Sequence, residues 1–239
     1  LIQERITKIE KQLASVIKTR ELHRKGRARV PYPVVALVGY TNAGKSTLFN
    51  RLSGAEVLAK DLLFATLDPT MRVINLPLGR KVILSDTVGF ISDLPTSLIA
   101  AFRATLEEVL EADIILHVRD VSHAETEAQA EDVNRVLNEL GIDEARRGQI
   151  IEVWNKLDLL EADERGAREA QAQRKSNCVL LSAITGEGLD RLLKMVEDRL
   201  GSSDSIYHVF LDPADGQGQA WLHDRGEVME RKMFPDGRM

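Results

Sequence analysis

Gly39-Tyr40-Thr41-Asn42-Ala43-Gly44-Lys45-Ser46 is the stretch that decides how this chain folds. The apolar run Val34 to Val38 leads into it, and Thr47-Leu48-Phe49-Asn50-Arg51-Leu52 continues it as a helix start. A strand, a GxxxxGKS loop and a helix in that order form the context of a phosphate-binding loop. Gly39 and Gly44 let the backbone curl until consecutive N–H groups face one point, which the positive end of the helix dipole also faces. Tyr40, Thr41, Asn42, Ala43 and Thr47 then line a polyphosphate. Lys45 bridges its β- and γ-phosphates, and the Ser46 hydroxyl ligates Mg²⁺.

Downstream of the loop, strand and helix patterns alternate across residues 31–201, which predicts an α/β domain with a doubly wound, mostly parallel sheet. Arg72 to Leu76 and Lys81 to Leu84 read as short strands joined by a turn at Pro77-Leu78-Gly79, one antiparallel hairpin. Leu98, Phe102, Leu106 and Val109/Leu110 mark one helix face. Ile114 to Val118 is a buried strand, and Glu125 to Leu140 a helix ended by Gly141. Ile150 to Trp154 and Cys178 to Leu181 are further strands, and Leu189 to Leu200 is the closing helix. His117 and Trp154 lie inside strands and are assigned to packing.

The flanks differ in texture. Residues 1–25 read as one helix in which Ile2, Ile6, Ile9, Leu13 and Val16 form a short coiled-coil seam that needs a partner helix. Residues 1–29 hold nine basic and three acidic side chains, a net +6, which leaves −11 for the rest of a chain whose net charge is −5. A basic arm on an acidic body suits a polyanion such as RNA, although a solvated helix face has the same pattern. At the other end, residues 205–239 suggest the start of a small α+β module. Tyr207 to Leu211 reads as a strand, Gln219 to Asp224 as a helix closed by Gly226, and Val228 to Phe234 as a strand before a Pro235-Asp236-Gly237 turn. The start at Leu1 and the stop just after that turn read as a fragment of something longer.

Composition narrows the class. The 239 residues are 44% hydrophobic and 29% charged, ordinary values for a globular protein. No stretch approaches the roughly 18 apolar residues of a membrane span, and no signal peptide is present. The single cysteine, Cys178, sits in an apolar run and reads as a buried core residue, consistent with a reducing, cytoplasmic compartment.

Four further motifs separate a guanine-nucleotide enzyme from other phosphate-loop proteins. Asp86-Thr87-Val88-Gly89 follows a strand, so the carboxylate reaches Mg²⁺ through water and the Gly89 N–H faces the γ-phosphate. Asn155-Lys156-Leu157-Asp158 follows another. Asp158 can accept hydrogen bonds from the guanine N1–H and 2-amino group, which adenine does not offer, and the Lys156 stem lies over the base plane. Ser182-Ala183-Ile184 offers a backbone N–H to the guanine oxygen. Phe64-Ala65-Thr66-Leu67-Asp68 lies where a mobile switch belongs, with Thr66 as a second Mg²⁺ hydroxyl.

With these residues in hand, the chain resembles the HflX family, within the Obg–HflX group of translation-factor-related P-loop GTPases. The resemblance is carried by Gly39 to Ser46 (GYTNAGKS), Phe64 to Thr70 (FATLDPT), Asp86 to Ile91 (DTVGFI), Leu98 to Val109 (LIAAFRATLEEV) and Asn155 to Asp158 (NKLD). It implies a cytosolic enzyme hydrolysing GTP to GDP, with an N-terminal helical domain upstream. It further implies binding to the large ribosomal subunit and its RNA, and splitting or rescue of stalled ribosomes, notably under heat stress. A monomer in solution is expected.

Two departures stand out. Phe90 follows Gly89 where Ras-type enzymes place a water-orienting glutamine, so slow intrinsic hydrolysis that the ribosome accelerates is expected. Ile184 stands where many relatives carry lysine. Asn42 occupies the position that in related potassium-activated GTPases helps hold K⁺ near the phosphates; stabilising the loop is the other reading. The alternatives left open are a nucleotide-gated RNA- or ribosome-binding module with little turnover, and a GTPase partner in RNA modification or ribosome assembly.

Overall fold

In a computed structural model of the chain, the described residues are 32–55, 70–87, 89–90, 109–201, 207–212, 214–225, 228 and 230–232. The chain divides into two units, Leu1–Pro33 and Val34–Met239, and the sheet and its helices belong to the second. The predicted helix over 1–25, the switch at Phe64–Asp68, residues 98–108 and the turn at Pro235–Gly237 lie outside the described residues.

Val34–Val38 forms β1, the strand from which the sheet is wound in both directions. The other strands are β2 (Thr70–Asn75), β3 (Lys81–Asp86), β4 (Ile114–Asp120), β5 (Ile151–Asn155) and β6 (Cys178–Leu180). They form one six-stranded sheet in the order β2-β3-β1-β4-β5-β6. Among the described strands only the β2–β3 pair is antiparallel; β1 pairs parallel with both β3 and β4, and β5 continues that side to β6. The Leu76 N–H donates to Arg80 O (2.8 Å) and the Gly79 N–H to Leu76 O (2.9 Å), closing the turn of the expected hairpin.

Parallel strands covered on both faces read as continuous apolar runs rather than alternating ones. Val35 and Leu37 of β1 point into one cluster with Leu48 and Phe49, and with Leu192, Val196 and Leu200. Ala36 and Val38 point into the opposite cluster with Val109, Val133, Val136 and Leu137. The helices bringing those residues are α1 (Lys45–Ser53), α2 (Thr126–Glu139) and α5 (Leu189–Gly201), so α1 and α5 cover one face and α2 the other. Between α2 and α5 lie the single turn α3 (Glu144–Arg147) and α4 (Ala162–Gln173). Of the α4 residues only Ala172 is buried, so no apolar stripe announces that helix in the sequence.

His117 and Trp154 are packed, as expected. His117 is buried in β4, and burial, followed by the nearby Arg119 charge, pushes its pKa down to about 4. Trp154 is fully buried, donates Nε1–H to Glu152 (2.8 Å), and has Arg119, Arg168 and Lys175 within 5.3–5.7 Å of its ring centroid. Cys178 is buried, and burial pushes its thiol up to about 12.

Several boundaries move. β3, β4 and β5 run further than the apolar patterns suggest, so Asp86, Asp120 and Asn155 are strand residues rather than loop residues. The strand expected at Tyr207 to Leu211 is not formed: residues 207–212 are irregular, with Tyr207 and Phe210 exposed. Its alternation suits a strand, but the backbone there takes no strand conformation among the described residues. Residues 228 and 230–232 carry no strand either. The short helix between them is α6, Gly216–Arg225, which is longer than expected.

Candidate nucleotide-binding site

The loop after β1 is shaped by contacts on both sides. Gly39 (φ 150°) passes so close to β4 that a Cβ there would meet the Val118 carbonyl at 2.1 Å. Gly44 (φ 94°) precedes α1, and a Cβ there would meet Asn155 Nδ2 at 2.2 Å. Larger residues at either position are excluded by backbone conformation and by space together. The Leu48 N–H is bonded to the Gly44 carbonyl (2.9 Å), so the donors of the first helical turn have no intrahelical carbonyl to reach and face the loop. That is the geometry of an anion cradle.

The segment after β3 is zipped to this loop. Thr41 N–H donates to Phe90 O (2.7 Å), and Phe90 N–H donates to Gly39 O (3.1 Å). A Cβ at Gly89 would lie 2.8 Å from Thr41 Cγ2 and 3.1 Å from Lys45 Nζ, which places the Gly89 backbone against the lysine head. The Thr87 hydroxyl donates to Leu37 O (2.6 Å) and so anchors the segment to β1. The Phe90 ring is buried with Val38 and Val133, turned into the core rather than toward the loop.

Lys45 is buried, and its ammonium donates to Gly39 O (3.0 Å) and Tyr40 O (2.8 Å). Burial lowers its pKa from 10.5 to about 8, a shift that the Asp86 charge opposes. Folding therefore releases a proton from this group between those values, so its contribution to stability grows as pH rises from about 8 to 10.5. Replacing Lys45 with Met is expected to abolish that gain, a difference readable in thermal melts of both proteins across this interval.

Ser46 Oγ donates to Asp86 Oδ2 at 2.7 Å. A hydroxyl and one carboxylate beside an anion cradle are hard oxygen donors. They suit Mg²⁺, which takes one or two protein ligands plus waters and phosphate oxygens. Among the described residues no cluster of three or more His, Cys, Asp or Glu is placed to hold a metal ion. Thr66 and Val88 lie outside the described residues.

The base side of the site is organised by Asn155, whose role sequence reasoning did not specify. Asn155 Nδ2 donates to Ala43 O and its Oδ1 accepts from Ala183 N–H, both at 2.9 Å. One buried side chain thus ties the phosphate loop to the Ser182–Ile184 loop. Leu157 N–H adds a bond to Leu181 O (3.2 Å), and Arg51 of α1 reaches Thr185 O (3.2 Å). Asp158 lies in a single 3₁₀ turn, Leu157–Leu159, and is exposed, so a base seated there would bury its carboxylate. Ser182 and Ala183 are buried, whereas Ile184 is 67% exposed. Asn42 is exposed with φ 60°, a left-handed conformation that asparagine tolerates better than most residues.

Residues 34–156 match the family described as 50S ribosome-binding GTPase, and residues 167–239 match the HflX C-terminal domain. The chain belongs to the HflX family of ribosome-binding GTPases. It is 50% identical over 230 residues to the GTPase HflX of Magnetococcus marinus, covering 96% of this chain and 52% of that one. With the Escherichia coli GTPase HflX the identity is 40% over 237 residues, covering 99% and 55%. The chain thus spans about half the length of these HflX relatives. Among solved structures, a GTP-binding protein from Sulfolobus solfataricus in complex with GDP aligns with TM-score 0.57 and 26% identity, covering 84% of this chain and 59% of that one. Aquifex aeolicus Era bound to GDP·AlF4⁻ shares the fold at TM-score 0.58 and 24% identity, covering 75% and 60%. Among the described residues of this HflX-family chain, no helix is long and apolar enough to cross a membrane.

Proposed function

We propose that this chain binds GTP and hydrolyses it to GDP and phosphate, and that it does so on the large ribosomal subunit to split or rescue stalled ribosomes. The observation that carries the nucleotide reading is the Asn155 clamp. It ties the loop suited to phosphates to the loop Ser182–Ile184, and Asn155 itself opens the segment that carries Asp158. Membership of a ribosome-binding GTPase family and the basic residues 1–29 support the ribosomal partner. We assign residues 1–30 to the tail of an upstream helical domain, 31–201 to the nucleotide domain and 205–239 to a small module.

In this mechanism the loop N–H groups and the Lys45 ammonium bind the β- and γ-phosphates and stabilise charge developing on the γ-phosphoryl oxygens. Lys45 exchanges its two carbonyl partners for phosphate oxygens. The Gly89 N–H, held beside Lys45, orients the γ-phosphate for in-line attack by water. Ser46, Asp86 and Thr66 would hold Mg²⁺, which when bound neutralises phosphate charge. The burial of Phe90 leaves no side chain at that position to orient the attacking water. Slow turnover of the isolated chain, raised by 50S subunits by up to roughly a thousandfold, is therefore expected, the lower end of what a supplied catalytic group gives GTPases.

Single-turnover GTP hydrolysis with and without ribosomal subunits tests this, repeated in K⁺ and Na⁺ at equal ionic strength. Equal rates with and without subunits remove the ribosomal reading. An undetectable chemical step with the partner bound favours a nucleotide-gated docking module. A faster rate in K⁺ supports a cation at Asn42, and equal rates leave Asn42 as a loop-stabilising residue.

A further inference from the structure

Asp120 belongs to none of the motifs in the sequence, yet it is the partner of one of them. It is the last residue of β4 and stands in register with Asn155, the last residue of β5, where the Val121 N–H also bonds Asn155 O (3.1 Å). The chain leaves β5 through Lys156 in a left-handed conformation (φ 68°), uncommon for a residue with a Cβ. That turn brings the Lys156 ammonium to Asp120 Oδ2 at 2.8 Å, with the two side chains only 26% and 13% exposed. The other carboxylate oxygen, Oδ1, accepts from Ser122 N–H (3.0 Å) and Ser122 Oγ (2.6 Å), which holds the carboxylate independently of the lysine. Arg119, the nearest other cation in sequence, does not compete, because its guanidinium is engaged by Glu127 and Glu152.

A lysine stem can cover the face of a base only when its charged end is held beyond the base. A freely rotating side chain would otherwise lose rotamer freedom each time it was ordered. We propose that Asp120 is a positioning residue for nucleotide binding, fixing the Lys156 ammonium so that the stem is pre-organised across one face of the guanine. The proposal rests on the guanine-nucleotide reading above. The ring face carries no exocyclic information, so Asp120 strengthens binding of guanine and hypoxanthine nucleotides equally. Discrimination between them stays with Asp158.

Equilibrium binding of fluorescent GDP and of IDP to the chain, combined with thermal melting, tests this in three variants. Lys156→Met keeps the stem and removes the charge, Asp120→Asn removes the anion but keeps an acceptor for Ser122, and the third variant carries both changes. Each is expected to weaken GDP by about fivefold, the double variant no more than either single one, with the GDP-to-IDP ratio unchanged. Losses that multiply in the double variant, or full GDP affinity in Asp120→Asn, overturn the proposal. Ser122→Ala, which loosens the carboxylate, serves as a second probe should Asp120→Asn melt early. It is expected to weaken GDP about twofold in the parent and not at all beside Lys156→Met. Lys156→Ala separates the two levels of the argument: if removing the stem leaves GDP affinity intact, the guanine reading of this loop has failed, not merely the role of Asp120.

Discussion

Lys45→Ala is expected to abolish GTP and GDP binding at micromolar protein, because it removes a buried cation aimed at the phosphate cradle. An anion held by a desolvated, hydrogen-bonded cation loses about 3–5 kcal/mol when that cation is truncated, which is roughly a thousandfold in affinity. The free protein should behave differently. Its ammonium rests on two backbone carbonyls at 2.8–3.0 Å, but burial lowers its pKa to about 8, so the charge is costly where it sits. Lost hydrogen bonds and relieved desolvation offset one another, and the melting temperature without nucleotide should change little. Isothermal titration and thermal melting of the same preparation check both halves. Retained micromolar GDP affinity would mean that the nucleotide does not lie on this loop.

Asp158→Asn is expected to exchange guanine for xanthine. The carboxylate accepts from the guanine N1–H and 2-amino group; an amide matches the 2-oxo edge of xanthine instead. Asp158 is exposed on the short turn Leu157–Leu159, so a bound base is what would desolvate it. Two charge-assisted hydrogen bonds made in that partly dry setting correspond to a loss of about 3 kcal/mol, roughly a hundredfold or more for GTP. XTP affinity should rise in the same variant. Competition of GTP, XTP and ATP against a fluorescent nucleotide reads this directly. Full GTP affinity in Asp158→Asn would remove the base assignment and leave the phosphate side of the site standing.

The legible and illegible parts of this chain divide along a physical line. α5 is announced by Leu192, Val196 and Leu200 at helical spacing, because one stripe must face the sheet. α4 has no such stripe, since only Ala172 is buried, and periodicity does not find it. Residues 207–212 show the opposite failure: the alternation of a strand is present, yet their course is irregular. In the site, the motifs direct Ser46 and Asp86 to one ion, and their side chains meet at 2.7 Å. Thr87, the next residue of the same motif, turns its hydroxyl to Leu37 O and ties the segment to β1, a contact no local pattern records.

By itself the sequence determined what local chemistry demands. Glycines stand where the backbone must curl and approach other strands, a lysine and a serine open the first helix, and apolar runs mark strands covered on both faces. These requirements act over a few residues, so residue type and spacing record them. Only the tertiary structure decided that Asn155 spans Ala43 and Ala183, that Asp120 holds Lys156, and that Phe90 faces the core. Those contacts depend on β1 lying beside β4 and β4 beside β5, an order set by how the whole sheet buries its two faces and written in no single stretch of the chain.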